Sequence, residues 1–117
     1  MSVATAGDAS AALAGGADLI DAKDPAGGAL APVSADVFRA IHDGVGGARP
    51  VTAALGNAAD EKAIELTARS FASAGARYVK VGFAGIASAD RVGELTRAAV
   101  RGVRADGGDS CGVVVVA

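Results

Sequence analysis

Short apolar segments alternate along the chain with longer stretches in which apolar residues recur every three or four positions. The short segments predict five β-strands, at residues 2–6, 19–23, 51–55, 77–81 and 113–116. The longer stretches predict four α-helices, which are expected at residues 9–14 with Asp8 as N-cap, after Ser34, at about 59–74, and from Ser88 or Asp90. Gly15 and Gly16 are predicted to end the first helix, and Gly56 and Asn57 to turn the chain after the third strand.

The strict alternation of strands and helices predicts a parallel sheet, because crossovers of this length join parallel strands through right-handed connections. Two α/β architectures fit, an open doubly wound sheet and an eight-stranded barrel of the (β/α)8 TIM type. The G-x-G-x-x-G fingerprint of nucleotide-binding open sheets is absent. Charged residues instead end the second and fourth strands, where α/β barrels carry their chemistry. We therefore predict that residues 1–117 form the truncated, N-terminal half of one TIM-type barrel domain, with β-α repeated four times and then a fifth strand.

The composition predicts one domain with a core of small, closely packed residues. Hydrophobic residues make up 51% of the chain and the mean hydropathy is +0.39, but aromatic residues make up only 3%. The net charge of −2 favours neither a nucleic-acid partner nor an anionic membrane. Four arginines of the last predicted helix are expected to form a solvated face; they are Arg91, Arg97, Arg101 and Arg104.

Cysteine and histidine usage narrows the chemistry further. Cys111 is the only cysteine, so no internal disulfide can form and a cytoplasmic location is expected. The only histidine, His42, lies in a predicted surface helix, which argues against a cysteine nucleophile. No cluster of histidine, cysteine and acidic residues has ligand spacing, so we expect no metal site. The longest apolar run, residues 113–117, is too short to span a bilayer.

Two segments that echo each other, residues 15–23 and 74–82, contain the candidate catalytic residues. Asp21 and Lys80 each fall five residues after a glycine, and Lys23 shares a strand face with Asp21. A lysine inside an apolar strand is costly unless it has a partner or a task. If these side chains face inward, two ammonium groups and a carboxylate meet. Neighbouring cations and loss of water favour a neutral amine, which can form a Schiff base while Asp21 shuttles protons.

Other roles for these residues remain open on the sequence alone. Lys23 can instead extend outward and pair with Asp21 or Asp24. The loop at residues 24–32 can bind phosphate through its backbone N–H groups, with Gly27 and Gly28 as the candidates, or it can simply be a turn. Thr52 is expected to serve packing or a local hydrogen bond.

One enzyme family resembles this chain in four segments, which are residues 15–25 (GGADLIDAKDP), 28–30 (GAL), 51–56 (VTAALG) and 78–82 (YVKVG). It is the (5-formylfuran-3-yl)methyl phosphate synthase family of methanofuran biosynthesis, found in methanogens and methylotrophic bacteria. The resemblance implies an α/β-barrel lyase that condenses two molecules of glyceraldehyde 3-phosphate, with loss of one phosphate and water. By motif position it implies Lys23 as the Schiff-base lysine, Asp21 as the acid beside it and Lys80 as a second active-site lysine. It implies a small phosphorylated aldehyde as substrate and no cofactor.

The chain begins inside the first predicted strand and ends at the fifth, before the family's remaining active-site acid and lysine. We therefore expect an incomplete barrel that self-associates, as a homo-oligomer, through its unpaired edge strands. Two other functions are consistent with the residues. One is a Schiff-base barrel aldolase with a different substrate. The other is a non-catalytic α/β module that binds a phosphorylated metabolite or a partner chain.

Overall fold

The computed structural model describes residues 2–24, 32–106 and 110–116, which form one parallel β-sheet with α-helices between its strands. The elements follow one another as β1 (Ser2–Val3), α1 (Ala6–Ala14), β2 (Ile20–Ala22), α2 (Ala35–Val45), β3 (Val51–Asn57), α3 (Glu61–Ser73), β4 (Tyr78–Gly82), α4 (Ala89–Arg104) and β5 (Gly112–Val116). The predicted α/β alternation is therefore confirmed.

All strand pairs are parallel, and the strands lie in the sheet in the order of the chain. The described sheet is open, with β1 and β5 at its two edges. Because each right-handed crossover returns to the neighbouring strand in the same direction, successive helices lie on the same face of the sheet. Consecutive helices pack against each other, α1 on α2, α2 on α3 and α3 on α4. The other face of the sheet carries no helix of the described chain.

The two faces of the sheet differ in chemistry. Alternate residues of the strands are buried in the apolar core beneath the helices, among them Ile20, Ala22, Val51, Ala53, Val79 and Val81. Phe38 of α2 packs edge-on against Phe71 of α3, with ring centroids 5.2 Å apart. The intervening residues of the strands, including Asp21 and Thr52, belong to the helix-free face. Within the described residues, no helix is long and apolar enough to cross a membrane.

The first helix begins earlier than the sequence indicates, and Asp8 as its N-cap is wrong. Thr5 has extended backbone, and its hydroxyl accepts a hydrogen bond from the backbone N–H of Asp8 at 3.0 Å. Asp8 lies instead in the first turn, where a carboxylate interacts favourably with the helix dipole. As predicted, the helix ends at Gly15.

The third strand continues through the predicted turn at Gly56 and Asn57. Asn57 pairs with Gly82 after an irregularity that begins at Ala54. Its side-chain oxygen also accepts a hydrogen bond from the backbone N–H of Ala84. These two contacts to β4 and the segment after it keep Asn57 in the sheet. The third helix starts slightly later than predicted, because the carboxylate of Asp60 caps it by accepting from the N–H of Ala63.

Arginines of α4 connect this helix to α3 as well as facing solvent. Arg91 pairs with Glu61 at 3.1 Å and Arg101 pairs with Glu65 at 3.0 Å. The solvated face predicted for them is thus incomplete, although the pairs remain partly exposed and contribute only modestly to stability. The two helices also approach each other closely at Gly102. A Cβ built at Gly102 of α4 would overlap the carbonyl oxygen of Glu65 and lie 3.0 Å from the Cβ of Ala68.

We expect Gly102→Ala to lower the free energy of unfolding by about 1–3 kcal/mol, because the new methyl group forces α4 away from α3. Gly93→Ala, in the same helix, is the matched control, since a Cβ there meets only the flexible end of Arg97. Alanine's better helix propensity should make that control neutral or stabilising by up to about 1 kcal/mol. Urea unfolding followed by circular dichroism measures both, and a stabilising Gly102→Ala would contradict the close contact.

Asp106 should make the stability of the fold sensitive to acid. Hydrogen bonds from Arg69 and Ser73 lower the pKa of Asp106 below its ordinary value. The contribution is therefore present above the unfolded-state pKa of about 3.9 and is lost as the pH falls through the lower folded pKa. The difference in urea midpoint between the parent and Asp106→Asn should stay constant above about pH 5 and shrink below about pH 4. The exposed Asp18→Asn variant is the control, and a difference that grows in acid would contradict the prediction.

Candidate active site

Asp21 is a buried carboxylate at the centre of the helix-free face. It lies in the middle of β2, in register with Ser2 of β1 on one side and Thr52 of β3 on the other. Its side chain is only 6% exposed. The hydroxyl of Thr52 donates a hydrogen bond of 2.7 Å to Oδ1 of Asp21, and the hydroxyl of Ser2 lies 3.5 Å from Oδ2. Three adjacent strands therefore present a row of two hydroxyl groups flanking one carboxylate.

Lys80 supplies the positive charge that compensates this carboxylate. Its Nζ donates to Oδ2 of Asp21 at 2.6 Å, although the two residues are 59 positions apart in the chain. Lys80 belongs to β4, so β3 lies between the two charged residues. Neighbouring strands are about 4.8 Å apart, so the side chains of Lys80 and Asp21 together span about 10 Å over β3. A charge-assisted hydrogen bond of this length is strong, and it offsets part of the cost of burying the carboxylate.

The crossing is possible because the residue of β3 opposite Lys80 is small. Ala54 is in register with Lys80 and is fully buried. Unlike Ala53 and Leu55 on either side of it, Ala54 is not part of the apolar cluster under the helices. Its methyl group therefore belongs to the helix-free face, below the path of the lysine side chain. A larger residue at this position would occupy the space that the lysine side chain needs.

Lys23 directly follows β2, two residues after Asp21, so the strand's alternation places the two on the same face. Its backbone N–H continues the ladder by donating to the carbonyl of Val3 at 3.0 Å. The residue is half-buried. Within the described ranges, the ammonium group of Lys23 forms no ion pair, and the interpretation in which Asp21 pairs with Lys23 is wrong because Asp21 pairs with Lys80.

The structure brings Asp21 and Lys80 into contact and leaves Lys23 on the same face of the sheet. Gly27 and Gly28, the predicted phosphate-binding residues, lie outside the described residues. Thr52 is the residue whose role the sequence misses, because packing or a local hydrogen bond is expected there and the observed bond joins two strands. The sequence holds no signal for this pairing, because Asp21 is the third residue of its predicted strand and Thr52 the second of its own. Only the observed register of β2 and β3 brings the two residues side by side.

The surroundings of the site are apolar toward β5. A cleft of about 380 Å³ lies beyond the carboxyl ends of β3 and β4, lined by Asn57, Gly82, Phe83, Val92 and Val115. In the part of the chain that the structure describes, no three histidine, cysteine or acidic residues lie close enough to share a metal ion. The described polar groups that meet at Asp21 are the hydroxyl groups of Ser2 and Thr52 and the ammonium group of Lys80.

The sheet is parallel, its helices lie on one face, and a charged pair lies on the other. The chain is therefore an α/β protein with a polar site on the helix-free face of its sheet. Within this class, the chain belongs to the 4-HFC-P synthase family, whose sequence model matches residues 1–117. The resemblance found in the sequence motifs is thus confirmed over the whole chain.

Two curated relatives agree with this assignment. A protein of Methylorubrum extorquens, provisionally named (5-formylfuran-3-yl)methyl phosphate synthase, is 41% identical over 78 residues, or 67% of this chain. The (5-formylfuran-3-yl)methyl phosphate synthase of Methanosarcina barkeri (strain Fusaro / DSM 804) is 37% identical over 82 residues, or 69% of this chain. The aligned parts span 33% and 35% of these relatives, so the chain matches about a third of the length of each.

Removing either partner of the Asp21–Lys80 pair should destabilise the fold, and the two changes should differ in size. Lys80→Met leaves a buried carboxylate without a counter-charge and should cost about 3–5 kcal/mol. Asp21→Asn leaves an ammonium group whose side chain is 30% exposed and can be hydrated, so it should cost about 1–2 kcal/mol. The double variant should lose less stability than the sum of the two.

Urea unfolding of the parent, both single variants and the double variant measures this coupling. Asp36→Asn is the control, because Asp36 and Arg39 form an exposed pair that contributes at most about 1 kcal/mol. Additive single changes, or a larger loss for Asp21→Asn than for Lys80→Met, would show that the charges are not coupled as the geometry requires.

Proposed function

We propose that this chain carries the Schiff-base lysine of a (5-formylfuran-3-yl)methyl phosphate synthase, a lyase that builds its furan product from two molecules of glyceraldehyde 3-phosphate. The observation that carries the proposal is the Asp21–Lys80 pair on the helix-free face, together with Lys23, which lies two residues after Asp21 in the chain. The proposed reaction follows from membership of the family, and the proposed roles follow from the positions of Lys23, Asp21 and Lys80. We also propose that the described sheet is part of a (β/α)8 barrel of the TIM type, since its strand order is that of successive strands in such a barrel.

Lys23 is the better nucleophile of the two lysines. The Nζ of Lys80 donates to the carboxylate of Asp21 at 2.6 Å, so this group is held by Asp21 rather than directed to a substrate. Lys23 has no such ion pair within the described residues, and its half-buried position limits hydration. Attack on a carbonyl needs a lysine nitrogen that is not held by another group, so the lysine without a paired carboxylate is the one suited to this step. Attack on the aldehyde carbon, followed by loss of its oxygen as water, gives the C=N bond.

Asp21 and Lys80 then act as the proton-transfer pair beside this bond. A Schiff base draws electrons from the adjacent carbon, so a nearby carboxylate can remove a proton there. Asp21 lies two residues from Lys23 on the same strand face and has one oxygen, Oδ2, directed to Lys80. Lys80 can return a proton to an oxygen that leaves as water or phosphate. Gly27 and Gly28 remain the proposed backbone donors to a substrate phosphate.

Borohydride trapping with glyceraldehyde 3-phosphate tests the Schiff base. The sequence contains three lysines, Lys23, Lys62 and Lys80, so peptide mass mapping can assign every reduced adduct. We expect the adduct on Lys23 to form at least about tenfold faster than on Lys62, an exposed lysine of α3 that serves as the internal control. Lys23→Arg should abolish the fast adduct, whereas Lys62→Arg should leave it unchanged.

An adduct that persists at full rate in Lys23→Arg would refute the role of Lys23. Product analysis separates the reaction from the aldolase alternative. A furan phosphate formed from glyceraldehyde 3-phosphate alone supports the synthase, and a simple aldol product supports the aldolase. Equal labelling of all three lysines would favour the non-catalytic module.

A further inference from the structure

We propose that Thr52 is the positioning residue of this site, because its hydroxyl fixes the carboxylate of Asp21 so that one oxygen faces Lys80. The effect of Thr52 on the reaction rests on the proposed function. Its effect on the orientation of Asp21 rests only on the observed contacts. Thr52 acts through Asp21, so it is a positioning residue and not a catalytic one.

The two oxygens of Asp21 have different partners. Oδ1 accepts the hydroxyl of Thr52 at 2.7 Å, and Oδ2 accepts the ammonium of Lys80 at 2.6 Å. Thr52 itself is 3% exposed, so no bulk water competes for its hydroxyl. Ser2 cannot replace it, because its hydroxyl lies at the 3.5 Å limit from Oδ2 and its residue is exposed. Thr52 is therefore the only described donor to Oδ1.

A carboxylate needs such a donor to keep one orientation. The last torsion of an aspartate side chain has a broad, roughly two-fold distribution, so the carboxylate rotates unless both oxygens are held. The register of β2 and β3 places Thr52 directly beside Asp21, where the hydroxyl can hold Oδ1 from the neighbouring strand. With Oδ1 held, Oδ2 is presented across β3 to Lys80. The two oxygens of a carboxylate are chemically equivalent, so what the hydroxyl fixes is the plane of the group. Without the hydroxyl the carboxylate can turn out of this plane, and the charged pair loses its defined position relative to Lys23.

The hydroxyl, rather than the volume of the side chain, should carry this effect. Thr52→Val keeps the shape of the side chain and removes the donor, while Thr52→Ser keeps the donor and removes a methyl group. In the 117-residue chain, selectively ¹³C-labelled aspartate and ¹⁵N-labelled lysine report on Asp21 and Lys80, assigned with Asp21→Asn and Lys80→Arg. We expect Thr52→Val to shift both signals and Thr52→Ser to leave them close to the parent. Circular dichroism confirms that each variant is folded.

The same variants should separate in borohydride trapping with glyceraldehyde 3-phosphate. Loss of one buried hydrogen bond corresponds to about a fivefold to tenfold change, so Thr52→Val should slow reduction at Lys23 by about that factor. Thr52→Ser should recover most of the parent rate. A structural role alone would change thermal stability in both variants without this split.

Each outcome decides the proposal. Folded Thr52→Val with parent-like Asp21 and Lys80 signals overturns it, and so does equal loss in Thr52→Val and Thr52→Ser, which would assign the effect to packing. If the parent itself gives no Lys23 adduct, the proposed function fails, but the spectral comparison still decides whether Thr52 orients Asp21. A shift in Thr52→Val that Thr52→Ser reverses supports the positioning role in either case.

Discussion

The ion pair between Asp21 and Lys80 crosses a whole β-strand, and the helix-free face is arranged around it. A carboxylate with only 6% of its side chain exposed requires a counter-charge and hydrogen-bond donors. Its neighbours in register supply hydroxyl groups, so the positive charge has to come from the next strand but one. The small side chain of Ala54 leaves the path open. One buried charge thus constrains the residue types on four consecutive strands, β1 to β4.

This arrangement separates two lysines that look alike in the sequence. Both occur in similar segments after a helix and a glycine. The sheet gives Lys80 a carboxylate partner and leaves Lys23 at the end of its strand without an ion pair among the described residues. A site with two equivalent lysines would divide its chemistry poorly, since a nucleophile must be neutral and a proton donor charged. Asp21 makes the two residues different by binding only one of them.

Much of the fold follows from the sequence, because the apolar period of two or 3.6 identifies each element and the alternation of elements identifies a parallel sheet. The same periodicity places Asp21 and Lys80 on matching faces. It does not supply register, which depends on how strands align in three dimensions. The bond from Thr52 to Asp21 and the passage of Lys80 over Ala54 therefore could not be predicted. The predicted pairing of Lys23 with Asp21 is wrong for the same reason. The two residues are close in the chain, but the register of the strands gives Asp21 to Lys80.

The separation of Asp21 and Lys80 by 59 positions also has a consequence for how the site comes into existence during folding. Contacts between distant segments form only after the cost of closing the intervening loops has been met. The ion pair needs β2 and β4 to be docked on opposite sides of β3, so both charges stay hydrated until all three strands are assembled. Water leaves the carboxylate in the same event that completes this part of the sheet. Partly folded chains are therefore without the Asp21–Lys80 pair, and the chemistry proposed for Lys23 depends on the correct order of β2, β3 and β4 in the sheet.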